Sequence, residues 1–209
     1  MRILLADDHA VVRRGLRQIL ADEFPDAIFA EAGNAGEVIE FASKDEWSCI
    51  VLDITMPGRS GLEALRELKQ FLPKVPVLVL SAHSEDQYAL RVLKVGASGY
   101  LTKDHAPEEL VKAVKKVISG GKYITPALAE KLAEKLRGDP NRAPHELLSD
   151  REFQVLRMIA SGLPIKKIAA ELSLSEKTVS TYHTRLFEKM ELHSDAELVR
   201  YALEHRLVS

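Results

Sequence analysis

The chain has 209 residues, 46% hydrophobic and 29% charged, and a net charge of -2 at pH 7, enough apolar material for one large or two small globular domains. Near-neutrality excludes capture of nucleic acid or anionic membrane by bulk charge, so any such binding has to come from a local basic face. A single cysteine excludes an internal disulfide, and the lack of any run of about 18 apolar residues excludes a membrane-spanning helix.

Ile3-Leu4-Leu5-Ala6 is an apolar strand ended at once by Asp7-Asp8-His9. It is too short for a signal peptide, so the expected location is the cytoplasm. Val11 to Leu20 has apolar residues at helical spacing, Ala27 to Ala32 is a second strand, and Ala35 to Ser43 is a helix carrying Val38, Ile39 and Phe41. The third strand runs from Ser48 to Asp53 and contains Cys49, whose thiol is expected to be buried and inert. Pro57-Gly58 turns the chain. A helix follows from Gly61 to Phe71, with Leu62, Leu65 and Leu68 on one stripe. Val75 to Leu80 is an unbroken apolar strand ending at Ser81, and Glu85 to Val95 is a helix stopped by Gly96. Gly99 to Lys103 is a short fifth strand. Pro107 to Ile118 is a helix with proline in its first turn and Gly120-Gly121 beyond its end.

Alternation of this kind predicts an α/β fold, a doubly wound five-stranded parallel sheet with helices on both faces. Open α/β sheets place their sites outside the carboxyl ends of the strands. The pattern therefore delivers Asp7, Asp8, Asp53, Ser81 and Lys103 to one rim. Taken singly each is bland: a turn carboxylate, a loop cap, a solvated cation. Together they suit one chemistry. Crowded carboxylates repel one another, and Mg²⁺, which takes oxygen ligands and keeps several waters, relieves that. Two of the carboxylates and a backbone carbonyl, for which Thr55 is placed, would leave positions open for a phosphoryl oxygen. His9 is read as a loop residue, because Mg²⁺ does not favour imidazole. A carboxylate nucleophile, a metal, a lysine and a hydroxyl together suit phosphoryl transfer to the carboxylate.

The stretches "ADDHAVVRRGL", "VLDITMPGRSGLEAL", "VLVLSAH" and "GASGYLTKD" resemble the flavodoxin-like receiver domain of bacterial two-component response regulators, specifically the NarL/FixJ family, over residues 1–121. The resemblance implies that Asp53 accepts phosphate from a sensor histidine kinase. It implies that Asp7, Asp8, Asp53 and Thr55 hold Mg²⁺, and that Ser81 moves onto the phosphoryl group. Lys103 would pair with that group and Tyr100 would rotate inward behind it. Many receivers follow this lysine with proline, whereas Asp104 follows here; the NarL branch often lacks that proline.

Residues 122–145 are expected to be a linker with a helix. Thr125 is the candidate N-cap, Ala127 to Leu136 the helix, and Gly138 to Pro144 a stretch of breakers.

Beyond it, residues 146–209 predict a small all-α domain. Ser149 and Glu152 fit a capping box ahead of a helix from Arg151 to Ala160. Helices follow over Ile165 to Leu172, Glu176 to Met190 and Asp195 to His205. Four short helices with a tight serine-containing turn between the second and third suggest a helix-turn-helix. Its third helix offers Lys177, Ser180, Thr181, Thr184 and Arg185. Small polar residues allow close approach to base edges while cations meet phosphates. The stretch from Leu148 to Met190 resembles the LuxR-type DNA-binding domain. That resemblance places Ser180, Thr181 and Thr184 at bases of double-stranded DNA, and Lys167, Lys177, Thr178, Arg185 and Lys189 at its backbone. Many members carry lysine where Ser180 or Thr184 stands, so fewer cations here weaken the salt-dependent part of binding. The last helix is the expected dimer contact, although its stripe of Leu198, Val199 and Ala202 suits an internal core equally.

The expected whole is a response regulator, a homodimer when active, whose Asp53 phosphorylation controls transcription. It is expected not to be an enzyme beyond slow self-dephosphorylation. Two other classes compete. A Mg²⁺-dependent phosphohydrolase would need a second acid–base carboxylate just after Asp53, where Thr55 stands instead. A protein-interaction adaptor would show no preference among DNA fragments at any salt concentration.

Overall fold

Five short apolar runs become five parallel strands: β1 (Arg2–Ala6), β2 (Ile28–Ala32), β3 (Cys49–Asp53), β4 (Val77–Ser81) and β5 (Gly99–Thr102). The structure, a computed structural model, describes residues 1–83, 85–126, 128–130 and 143–208. Its contacts divide the chain into two compact units, Met1–Leu132 and Ala133–Ser209.

In the N-terminal unit the strand order is β2-β1-β3-β4-β5. Every residue of β3 and β4 is buried, whereas the edge strand β2 is mostly half-exposed. This is why the central strands read as continuous apolar runs. Five helices cover the sheet: α1 (Ala10–Glu23), α2 (Ala35–Lys44), α3 (Gly61–Phe71), α4 (Glu85–Val95) and α5 (Ala106–Ile118). One core layer joins Ile3, Leu5, Leu16, Leu20, Val51, Leu78, Leu110 and Val114. Cys49 belongs to it, fully covered, and burial pushes its thiol up to about 12, which keeps it protonated and inert.

The chain leaves β1 toward β2 on one side and returns to β3 on the other. Such a reversal opens a crevice at the carboxyl ends of the two strands that flank it. Asp7 follows β1 directly and Asp53 is the last residue of β3. Register sets the remaining members: Asp53 pairs with Leu80, one residue before Ser81, and Ser81 pairs with Thr102, one residue before Lys103. Several element ends shift by one to three residues from the sequence reading, and one of these shifts bears on the site. Lys103 is not in the strand but opens a 3₁₀ turn, Lys103–His105, that leads into α5. The turn lifts the lysine stem off the strand and lets its ammonium reach across the crevice.

In the C-terminal unit a 3₁₀ turn, Pro144–Leu147, precedes α6 (Asp150–Ala160), α7 (Ile165–Leu172), α8 (Glu176–Met190) and α9 (Asp195–Glu204). Serines cap three of the four: Ser149 in a capping box with Glu152, Ser175 accepting from Thr178 N, and Ser194 accepting from Glu197 N. Phe153, Val155, Leu156, Ile168, Val179, Leu186, Leu198 and Ala202 form its core. The α9 stripe thus resolves toward the interior: Leu198 and Ala202 are covered, Val199 is half-buried, and Leu203 faces solvent at 53% exposure. The helix expected over Ala127 to Leu136 lies largely outside the described residues. Thr125 Oγ1 does accept from Leu128 N at 3.2 Å, the bond of an N-cap.

Candidate functional site

The crevice is built around Asp53. Its carboxylate is buried at the end of β3 and accepts from Thr55 N at 2.9 Å and from the Lys103 ammonium at 2.7 Å. The same ammonium lies 2.7 Å from Asp7 Oδ2, so one cation bridges the carboxylates after β1 and β3. Asp7 is itself fully buried, with its other oxygen accepting from His9 N at 2.8 Å. Burial pushes the Asp53 carboxyl above its ordinary range, beyond what Lys103 and the Thr55 N–H offset, and Asp7 adds to the push. Burial also works against the Lys103 charge, but the carboxylates of Asp53 and Asp7 outweigh it and hold the ammonium above its usual range.

The donor set fits a hard divalent cation. Asp7 Oδ2 and Asp8 Oδ1 are buried oxygens without a hydrogen-bond donor among the described residues. The Lys103 ammonium is 2.7 Å from Asp7 Oδ2 and His9 Nδ1 is 2.9 Å from Asp8 Oδ1, but neither contact has hydrogen-bond geometry. Ligand atoms of Asp7, Asp8 and His9 all lie within 4.8 Å of one another. Two oxygens in want of a partner are what Mg²⁺ satisfies, while the imidazole suits it poorly. His9 is largely exposed, with Nδ1 2.9 Å from Asp8 Oδ1.

Ser81 closes the crevice from β4, with its Oγ accepting from His83 N at 3.0 Å. Tyr100 lies behind it on β5. Its ring is already fully inside the unit, with its hydroxyl donating to His83 O at 2.7 Å. Tyr100 thus occupies the inward position in this structure.

Two supporting residues escaped the sequence reading. A Cβ on Gly61 would lie 1.9 Å from Asp53 O, so glycine there is what lets the start of α3 close over the Asp53 backbone. Arg13 on α1 donates to Asp7 O at 2.6 Å and is itself held by Glu31. Only the close GLEAL spacing after Pro57-Gly58 hinted at the first. Nothing in the sequence pattern singles out the second.

The second region is α8. Val179, Leu186 and Met190 face the core. At 100° per residue the opposite face carries Lys177, Thr181, Thr184 and Glu188, all exposed. Arg185 and Lys167 are exposed as well, and Thr178 and Ser180 are half-buried on the flanks. Ser180, Thr181 and Thr184 donate to the carbonyls four residues earlier, at 2.9, 2.9 and 3.1 Å. Their oxygens thus remain as acceptors on the surface. Lys189 stands apart: its ammonium is 2.7 Å from Glu152 Oε2 on α6.

Comparison with known proteins gives two family matches. Residues 3–115 match the response regulator receiver domain, and residues 146–202 match the bacterial regulatory proteins of the luxR family. The chain is 35% identical to the response regulator UvrY of Escherichia coli (strain K12), covering 99% of this chain and 95% of that one. It is 37% identical to the response regulator GacA of Pseudomonas viridiflava, covering 100% and 98%. Among solved structures it is similar to RcsB from Salmonella enterica serovar Typhimurium bound to promoter rprA in the presence of phosphomimetic BeF3-. There the TM-score is 0.65 at 25% identity, over 96% of this chain and 98% of that one.

Proposed function

This chain belongs to the two-component response regulators that join a receiver domain to a LuxR-type DNA-binding domain, and from that premise we propose that phosphorylation of Asp53 by a sensor histidine kinase controls its binding to double-stranded DNA. As a member of this family it regulates DNA binding and transcription within a two-component system. The observation that carries the assignment to Asp53 is the single ammonium of Lys103 set 2.7 Å from both Asp53 and Asp7.

An Asp53 carboxylate oxygen attacks the phosphorus of a phosphohistidine. The P–N bond breaks, its electron pair returns to the imidazole, and an acyl phosphate remains on Asp53. Lys103 exchanges its carboxylate partner for a phosphoryl oxygen. Ser81 turns its hydroxyl from His83 N onto the phosphoryl group. Mg²⁺, held by Asp7, Asp8, Asp53 and the Thr55 carbonyl, would supply charge neutralisation for the phosphoryl oxygens. Thr55 stands where an acid–base carboxylate would follow Asp53 in a phosphohydrolase, so self-dephosphorylation is slow. The Ser81 and Tyr100 side then biases a two-state equilibrium whose active member binds DNA.

On DNA, Ser180, Thr181 and Thr184 of α8 face bases, while Lys167, Lys177, Thr178 and Arg185 meet phosphates. Lys189 contributes least, because its ammonium is committed to Glu152. The active form is a homodimer through the outer face of α9, where Val199 and Leu203, not Leu198 and Ala202, are available. No helix among the described residues is long and apolar enough to cross a membrane, and we place the protein in the cytoplasm.

The test is binding to a genomic fragment pool, with and without a small-molecule phosphodonor and Mg²⁺, for the wild type and Asp53→Asn. Strengthening in the wild type alone is the expected result. Equal binding in all four arms would remove the switch while leaving the DNA-binding domain. No binding in any arm would favour the adaptor.

A further inference from the structure

The stretch after α5 is held more firmly than a tether needs. Tyr123 makes a parallel bridge to Gly99 on the outer edge of β5. Its N–H donates to Ser98 O at 2.9 Å, and its carbonyl accepts from Tyr100 N at 3.2 Å. A Cβ on Gly99 would lie 2.7 Å from Tyr123 O, so the approach depends on that glycine. Covering a free sheet edge explains the backbone pairing alone. It does not explain the side chains. Tyr123 donates its hydroxyl to Glu109 on α5 at 2.5 Å, and Thr125 donates to Glu85 on α4 at 2.6 Å.

Each anchor belongs to an element next to the phosphorylation site. Tyr100 ties to the strap through its backbone N–H and to His83 O through its hydroxyl, and His83 N donates to Ser81 Oγ. A continuous set of hydrogen bonds thus runs from Ser81 to Tyr123. Beyond Tyr123, Thr125 caps the turn that leads on to the DNA-binding domain.

We infer that residues 122–125 are the receiver's output strap and that Tyr123 is the positioning residue that passes the state of Ser81 and Tyr100 to the chain beyond. The inference rests on Asp53 being the phospho-acceptor. When Ser81 Oγ leaves His83 N, the loop after β4 and Tyr100 readjust. The edge pairing at Tyr123 and the bond from Thr125 to Glu85 then change together. Coupling of this kind is a free energy shared between two sites, and it disappears when the element that both sites bias is cut loose. The latch does not itself sense pH near neutrality. Burial, together with Glu109, pushes the Tyr123 hydroxyl up to about 12, and its bond holds Glu109 below the usual carboxylate range.

The experiment uses the full chain as wild type, Asp53→Asn, Tyr123→Phe and Glu109→Gln, with acetyl phosphate and Mg²⁺ as the phosphodonor mixture. Two quantities are read for each: phosphate on the protein by intact mass, and the ratio of DNA Kd without donor to Kd with donor. Tyr123→Phe and Glu109→Gln keep ring and side-chain shape, and phosphorylation at the wild-type level shows that each is folded. The expected result is wild-type phosphorylation in both, with the Kd ratio falling to within about twofold of 1. A wild-type ratio in Tyr123→Phe overturns the strap, as does loss of phosphorylation in that variant, which would place Tyr123 in the pocket's own support. A wild type that takes no phosphate overturns the Asp53 reading and the strap with it. A wild type that takes phosphate but shows no change in Kd overturns both the strap and the control of DNA binding, and leaves Asp53 as the phospho-acceptor; a wild-type ratio in Tyr123→Phe is the outcome that overturns the strap alone.

Discussion

Asp53 in the receiver and Glu152 in the DNA-binding domain are both buried carboxylates, 1% and 3% exposed, and each has a lysine ammonium at 2.7 Å. Their titrations nevertheless move in opposite directions. Burial pushes Asp53 above its ordinary value. Burial acts on Glu152 as well, but the Lys189 ammonium and Ser149, through its N–H and its side chain, bring it below 4.5. The difference lies in the surroundings. Glu152 is covered yet shallow, sits in the first turn of α6 where the helix field favours an anion, and accepts from Ser149 N at 2.7 Å. Asp53 lies deep, shares the Lys103 ammonium with Asp7, and accepts from one backbone donor among the described residues, Thr55 N. One carboxylate is placed to hold a helix start. The other is placed where its charge is unwelcome, so that a phosphoryl group and a cation can improve its situation. That contrast is the usual trade between stability and function, seen within one chain.

The sharpest way to break the comparison is to remove the shared cation. Lys103→Met keeps the stem but leaves Asp7 and Asp53 facing each other without a counter-charge. The receiver should lose about 3 kcal/mol, the cost of breaking a buried pair by deleting one partner. Trp47 is the chain's single tryptophan and is buried in the receiver. Its fluorescence in urea therefore reads this unit alone. Adding Mg²⁺ should restore more stability to Lys103→Met than to the wild type, because the metal replaces the missing charge. An equal Mg²⁺ effect on both would show that the acidic residues do not bind it together.

Glu152→Ala is the counterpart in the DNA-binding domain. It deletes half of the capping box and strands Lys189, and should cost about 2 kcal/mol, read by the far-UV signal that remains after the receiver has unfolded. The sign of its pH dependence follows from the depressed value. The contribution of Glu152 is fully present above 4.5, the ordinary value, and is lost as pH falls through the lower folded one. The gap between wild type and Glu152→Ala should therefore narrow below about pH 4.5.

How far these two sites could be read from the sequence differs for the same physical reason. The Ser149–Glu152 capping box is a local signal, two residues three apart, and it was legible at once. So was Asp53, because an apolar run that stops at a carboxylate fixes its place at a strand end, and strand alternation brings Asp7, Asp8, Ser81 and Lys103 to the same rim. The departures all depend on contacts distant in sequence. Lys103 lies in a 3₁₀ turn rather than in β5, and its ammonium meets carboxylates that follow β1 and end β3. The pairing of Lys189 with Glu152 joins two different helices and leaves no local pattern in the sequence. Leu198 and Ala202 could be core or interface until the packing of α9 was known. Arg13 and Tyr123, whose partners are a backbone carbonyl after β1 and the edge of β5, left no pattern in the sequence.

Asp53→Asn should have a smaller effect and one of unusual sign for a buried charged residue: the receiver becomes more stable, by up to about 1 kcal/mol near neutral pH. Because the folded pKa of Asp53 lies above the ordinary 3.8, the carboxyl favours folding most when protonated. That contribution is complete below 3.8 and declines as pH rises through the folded value. The advantage of Asn should accordingly vanish in acid and appear as pH rises, in urea titrations followed at Trp47. A variant less stable than wild type at pH 7 would mean that the Lys103 pairing, not burial, dominates at Asp53.

The smallest effect on stability, and the one that separates a structural lysine from a binding one, comes from Lys177→Ala and Lys189→Ala. Lys177 is exposed on the outward face of α8. Its loss should leave the unfolding transition unchanged, weaken binding to all DNA fragments alike, and reduce the slope of log K against log salt by about 1. Lys189 is in the opposite position. To meet a phosphate it would have to abandon Glu152, leaving a covered carboxylate with one donor fewer, and that cost subtracts from any gain at the DNA. Lys189→Ala should therefore lower the stability of the DNA-binding domain and scarcely change the salt slope. A slope lowered by about 1 in Lys189→Ala would show that the ammonium exchanges Glu152 for a phosphate on binding. In that case the two buried carboxylates would be more alike than their titrations suggest, each releasing its lysine to a phosphoryl oxygen when the protein works.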